Sequence, residues 1–259
     1  MNETSVLALL DLPVGSVLNL DGETVVLKRD DFVGFYSLLP AVLHLVTVRT
    51  GKEATTTGFL FMENLVRRYD PATEEVSNRP IDDPATVENV CFHLQQGKID
   101  PQRAVSYNRF LSQAKKDRWS DLTDFISARS LRLRGLQLGD KLIPGSYAET
   151  EEETYPTIQI DGITVSYPPI PVPVDTVVRH TSHEGTKQFL MRLSPSERTA
   201  FFTATDPAQT ALQTVLRLYY DNDHTDLLGD LQLSFALFLN LHCFSSLIRW
   251  RDLVALLCY

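Results

Sequence analysis

The chain has 259 residues, with 24 Lys and Arg against 33 Asp and Glu, and a formal charge of −9. Hydrophobic residues make up 43% and charged residues 22%, a balance that excludes wholesale disorder and fibre-type repeats. The acidic surplus also argues against a protein whose main work is to grip phosphate backbones, although a local basic patch stays open. At ~100–200 residues per domain the length allows one large domain or two small ones. Cys91, Cys243 and Cys258 form no Cys-x-x-Cys pair, so free thiols in a reducing, intracellular setting are expected. The N-terminus has no basic stretch, and Val6–Leu10 is too short for a signal-peptide core. Leu231–Ile248 carries no charged residue, yet Gln232, Ser234, Asn240 and His242 predict a buried helix rather than a membrane span.

In chain order, the first 80 or so residues read as strands, because short β-branched or apolar runs alternate with turn signals. Ser16–Leu20 and Thr24–Leu27 flank Asp21-Gly22, a pair suited to the positive φ angles of a tight hairpin. Phe32–Leu39, Val42–Val48 and Gly58–Met62 follow as strands, and Asp70-Pro71 marks a turn. The gaps are too short for helical crossovers, which predicts an antiparallel sandwich or partial barrel. Helices are expected over residues 84–140, packed on the sheet. Asp83-Pro84 gives a cap followed by a preset φ, Gly97 a stop, and Asp100-Pro101 a second start. Trp119, Leu122, Phe125 and Ile126 share one helix face.

A linker is expected next. Glu149, Glu151, Glu152 and Glu153 form an acidic run, and Tyr167 to Pro173 holds four prolines, a composition that favours an extended spacer. Docking of this stretch into an aromatic groove is the alternative. Between them, Thr157–Val165 with Asp161-Gly162 predicts a small hairpin. From Ser194 the chain reads as helical: Ser194-Pro195-Ser196-Glu197 is a capping box with proline at the first helical position, and Asp206-Pro207 starts a second helix to about Tyr220. Asp221-Asn222-Asp223-His224 breaks it, and Leu227–Tyr259 supplies one or two further helices, apolar nearly all round. The expected organisation is a β-rich domain over 1–148, a linker over 149–185 and a helical domain over 186–259.

Catalytic constellations are sparse. There is no Gly-rich dinucleotide fingerprint, Gly97-Lys98 lacks the rest of a phosphate loop, and no serine sits in a nucleophile elbow. His180-x-x-His183-Glu184 is the best residual cluster, since two imidazoles three apart on a helix could hold a metal for hydrolysis, but no third ligand suggests itself. Its plain reading is solvated histidines at the end of a linker. His44, between Leu43 and Leu45, reads as a satisfied sheet histidine, and His242 as a partnered imidazole in a buried helix. Ser194 could accept a phosphate at its helix start, although its role as a cap suffices. No catalytic, cofactor-binding or metal-binding residue is assigned.

Five separated blocks carry a resemblance. They are Ala8-Leu9-Leu10-Asp11-Leu12-Pro13-x-Gly15; Phe32-x-Gly34-Phe35-Tyr36-x-Leu38-Leu39-Pro40 with Leu43-His44; and Gly58-Phe59-Leu60-Phe61 with Val66-Arg67-Arg68-Tyr69-Asp70-Pro71-x-Thr73-Glu74-Glu75. Trp119-x-x-Leu122-Thr123-x-Phe125-Ile126 is the fourth, and Leu228-Gly229-Asp230-Leu231-Gln232-x-Ser234-Phe235 with Trp250-x-x-Leu253-x-x-Leu256-Leu257-Cys258 the fifth. Together they resemble the AAR-two, or A1-cistron splicing factor, family. The resemblance implies an α+β protein with a β-rich N-terminal domain and an all-α, VHS-like C-terminal domain. It implies a non-catalytic assembly factor for the U5 small nuclear ribonucleoprotein (snRNP), without a cofactor. The expected partner is the large U5 protein, bound through its RNase H-like and Jab/MPN-like domains so that helicase association is delayed. Cytoplasmic residence, with the nucleus as a second compartment, follows from the same resemblance, with no direct nucleic-acid binding and no membrane.

Family members usually continue beyond the Trp-Leu-Cys block with more helices and a strand-adding tail. The helical domain ending at Tyr259 therefore reads as incomplete, with Leu253, Leu256 and Leu257 expected to be exposed. The competing readings are a helical adaptor or protein-binding module outside splicing and, less favoured, a metal-dependent hydrolase using His180, His183 and Glu184.

Overall fold

A computed structural model describes residues 4–51, 54, 56–143, 158–160, 163–165, 167, 170–171, 182–204 and 206–258. The elements in order are β1 (Ser5–Leu10), β2 (Val17–Leu20), β3 (Glu23–Val26), β4 (Gly34–Leu38), β5 (His44–Arg49), β6 (Thr57–Phe61), β7 (Leu65–Asp70) and β8 (Glu75–Val76). They continue with α1 (Pro84–Gln95), β9 (Ala104–Ser106), α2 (Tyr107–Phe110), α3 (Gln113–Thr123), α4 (Ala128–Leu133) and β10 (Lys141–Leu142). A small ribbon of β11 (Ile158–Ile160) and β12 (Ile163–Val165) precedes α5 (Ser182–Met191), α6 (Pro195–Thr203), α7 (Pro207–Tyr219), α8 (His224–Leu241) and α9 (Phe244–Cys258). The chain is α+β, and its sheets close no barrel.

Two compact units emerge. One comprises Met1–Asp124, Leu136–Pro144 and Gln159–Gly162, the other Phe125–Gly135, Gly145–Ile158 and Ile163–Tyr259. In the first, the sheets run β8-β7-β1-β4-β9 and β10-β6-β5-β2-β3. Strand β1 is central in its sheet, and the period-two alternation of side chains sends its residues to two different cores. Leu7 and Leu9 join Leu18, Leu20, Phe35, Val46, Val48 and Phe59 between the sheets. Val6 and Ala8 pack with Cys91 and Leu94 of α1 on the other face. Burial on both sides is why this strand reads as an unbroken apolar run.

The pairing corrects the antiparallel expectation. Strand β1 pairs parallel with β7, and β4 parallel with β9. The crossover rule concerned strands adjacent in sequence. Here β1 and β7 are separated by β2 to β6, and β4 and β9 by α1 among others, so each long connection is a crossover in its own right. The expected start at Asp100-Pro101 is also corrected: it makes a turn ahead of β9, with Ala104 N–H donating to the Asp100 carbonyl, rather than a helix. Residues 84–140 are thus helices interrupted by a strand. The hairpin expectation is met, with φ of 53° at Asp21 and 82° at Gly22 between β2 and β3.

In the helical unit the local signals act as read. Ser194 and Glu197 form both halves of a capping box, Pro195 starts α6, and Asp206 and Asp223 cap α7 and α8. The apolar run after Leu227 is two helices. Its break falls at His242, left-handed at φ 54° and exposed, which corrects its placement inside a buried helix. Leu253 and Leu256 are buried, also contrary to expectation, because they face α7 and the α5 core, whereas Leu257 is exposed. No helix among the described residues is long and apolar enough to cross a membrane.

Candidate functional site

Two buried polar clusters gather titratable side chains, one in each unit. In the first unit, Asp21 turns its carboxylate inward from the β2–β3 hairpin and accepts from Leu45 N–H (2.9 Å) and the Tyr107 hydroxyl (2.7 Å). His44 Nδ1 lies 2.6 Å from the same Asp21 oxygen that Tyr107 reaches, and Nε2 lies 3.1 Å from the Leu39 carbonyl. Both partners accept, so each ring nitrogen is placed to donate. The pattern contains an aspartate–histidine pair but no nucleophile, and His44 and Tyr107 are fully buried, which shuts out a substrate. Burial first, and then the Asp21 charge, push the Tyr107 hydroxyl well above the usual phenol range, so it stays a donor. The cluster ties the hairpin to β5 and α2. This agrees with the reading of His44 as a satisfied sheet histidine.

The second cluster sits in the helical unit. Asp230 of α8 accepts from Tyr220 (2.6 Å) and from Arg249 of α9 (2.7 Å from Nη2), while Arg134 Nε lies 3.0 Å from its other oxygen. Arg249 also donates to the Tyr220 hydroxyl and stacks over the Tyr167 ring at 5.5 Å, and Tyr167 bonds Ser246. Burial works to raise the Asp230 carboxyl, but Arg249, Arg134 and Tyr220 outweigh it and hold it below the usual carboxylate range. These groups are sealed from solvent, so they join helices rather than meet a ligand. Tyr167 and Ile170 are themselves buried in this unit, so this part of the proline-rich stretch is anchored by its apolar side chains and is not a free spacer.

The remaining candidates do not assemble. His180, the acidic run Glu149–Glu153 and most of the prolines lie outside the described residues, as do the side chains of His183 and Glu184, whose backbone belongs to α5. Among the described residues no group of three or more His, Cys, Asp and Glu is placed to hold a metal. Gly97, at φ 59°, ends α1. Beside it a concave site of about 510 Å³ is lined by Val33, Asn89, Val90, His93, Lys98, Ile99, Asp100 and Arg103, which include no Ser, Thr or Cys nucleophile.

What the sequence reading missed is surface. Phe202 is 71% and Met191 64% exposed, residue types enriched in protein contacts, whereas Phe92, Leu239 and Phe244 are exposed singly, as is ordinary on a protein surface. The buried Asp230–Arg249 pair was missed too, although opposite charges at the two edges of the uncharged Leu231–Ile248 run are its signal.

Comparison with curated proteins finds no match. Residues 182–259 match the family model of the AAR2 C-terminal repeat region, a stretch that begins with α5 and takes in every helix to α9. That match takes in the helices that hold Asp230 and Arg249 and the exposed Met191 and Phe202, so the C-terminal part of the chain is similar to the AAR2 C-terminal repeat region.

Proposed function

We propose that this protein is a non-catalytic assembly factor of the U5 snRNP that binds the large U5 protein through its RNase H-like and Jab/MPN-like domains and delays association of the helicase. The observation that carries the reading is the family match over α5–α9. Binding energy in such a factor comes from extended surfaces of about 1,200–2,000 Å² with a few buried anchors, not from a pocket. The work is cytoplasmic, with the nucleus as a second compartment, and involves neither direct RNA contact nor membrane.

Affinity purification of the tagged protein from its native cytoplasm, followed by mass spectrometry, tests the reading. Recovery of the large U5 protein with core snRNP proteins and without the helicase is expected. Absence of the large U5 protein, or stoichiometric recovery of the helicase with it, would overturn the proposal.

A further inference from the structure

Helix α6 buries none of its nine residues. A helix this short is marginal on propensity alone, and most helices in folded proteins are held by an apolar face packed on the core. Much of what holds α6 is local, the reciprocal Ser194–Glu197 cap and Pro195 at its first position, joined by the Glu197–Arg217 ion pair to α7 at 2.7 Å. Its inner side rests on the helical-unit core through the half-buried Phe201, whose ring lies 5.6 Å from that of Phe189. Glu197 and Phe201, four apart, are the half-buried side; Arg198 and Phe202, also four apart, are the exposed side. The Arg198 guanidinium is steadied there by donation from Nε to the Leu193 carbonyl at 3.1 Å. Met191 and Arg192, just ahead in the chain, are exposed as well, and Arg192 stacks on the Tyr219 ring at 5.4 Å.

Single exposed apolar side chains are ordinary on protein surfaces. Here a strongly exposed phenylalanine and positioned arginines, residue types enriched in interface cores, lie on and just ahead of a helix that fully buries none of its residues, with an exposed methionine close by in the chain. Charge supplies the complement. From Lys187 to Tyr219 the chain carries four cations, Lys187, Arg192, Arg198 and Arg217, against Glu197 and Asp206, within a chain whose net charge is −9. We propose that the Arg198–Phe202 face of α6, with Met191 and Arg192, is a protein-docking surface whose partner offers an apolar pocket for Phe202 inside an acidic rim. For the partner's identity the inference rests on the function proposed above.

The purified 259-residue chain is titrated calorimetrically into the recombinant RNase H-like and Jab/MPN-like domains of the large U5 protein. Variants are F202S, R198E and a control on another surface, F92S, each first checked for unchanged thermal unfolding; F202L serves if F202S is unstable. F202S is expected to weaken binding by about 10- to 30-fold. R198E should weaken it by a factor that shrinks in 0.5 M salt, while F92S leaves it unchanged. Wild-type binding that folded F202S (or F202L) and R198E leave intact overturns the docking surface and spares the proposed function. Lack of wild-type binding to either domain overturns both. Loss of affinity for a mixed-sequence RNA 20-mer in R198E, with domain binding unchanged, would reassign the surface to nucleic acid and overturn the inference.

Discussion

Replacing Gly229 by alanine should destabilise the helical unit, although the same change in the interior of an ordinary helix stabilises it by about 1 kcal/mol. Gly229 lies in α8 where the helix meets the backbone ahead of α4. An added Cβ would stand 2.5 Å from the Phe125 carbonyl oxygen and 3.2 Å from Ser130 Cβ. Ordinary contact begins at 3.4 Å, so α8 and this backbone must part by about 0.9 Å, the difference between 3.4 and 2.5. The obstacle is a main-chain carbonyl, which cannot rotate aside as a side chain would. Three links span the same junction and would be stretched: Phe125 N–H to Gln232 at 2.8 Å, Arg129 to Asp226 at 2.6 Å and Arg134 to Asp230 at 3.0 Å. Overpacking costs of about 1–3 kcal/mol, set against the gain of about 1 kcal/mol in propensity, leave a net loss of roughly 1 kcal/mol, with about 2 at the upper end. Urea unfolding followed by circular dichroism reads the global change, and hydrogen exchange on peptides from α4 and α8 localises it. A variant as stable as the parent or more so, with unchanged exchange in both helices, would refute the close approach.

Arg249→Met should cost about 3–5 kcal/mol, because it leaves the Asp230 carboxylate buried beside fewer donors, and Asp230→Leu in addition should recover much of the loss, both read by urea unfolding. Since the folded state holds the Asp230 carboxyl low, the network contributes at neutral pH. That contribution is lost as pH falls below the ordinary aspartate value of about 3.9, so an acid-unfolding limb of the helical unit is expected there, and its absence would contradict the pairing. Tyr107→Phe removes one donor from the buried Asp21 carboxylate and should destabilise the β-rich unit by about 1.5–3 kcal/mol, measured by the same unfolding. Ser194→Ala deletes the cap of a helix with no buried residue. It should cost about 1 kcal/mol locally, seen as faster exchange in α6 while α8 is unaffected.

Much of the helical unit was legible because its punctuation is local. Ser194-Pro195, Asp206-Pro207 and Asp223 each satisfy amides within three residues of themselves, so sequence proximity is enough to announce the helix starts. The Asp21-Gly22 hairpin was legible for the same reason. His44 could be read as a buried sheet residue from its apolar neighbours, but its partners could not, since Tyr107 joins the same Asp21 oxygen from 86 residues away. The exposure of Phe202 was equally hidden: adjacent phenylalanines look alike in a sequence, and only packing against Phe189 turns Phe201 inward and leaves Phe202 out.

By itself the sequence determined what depends on neighbours a few positions apart: the α+β character, the helix caps, the tight hairpin, and the motif blocks whose C-terminal member falls in the matched AAR2 region. The tertiary structure alone decided what depends on distant segments meeting. It set the parallel pairing of β1 with β7 and of β4 with β9, and brought residues 125–135 into the helical unit. It joined Asp230 to Arg134 and Arg249 across three helices, and it buried Leu253 and Leu256 against α7 and the α5 core. The reason is physical: caps and turns are satisfied by hydrogen bonds that close short loops of chain. Strand partners, buried charges and the choice of which apolar face is covered are settled only when the whole hydrophobic surface competes for burial at once.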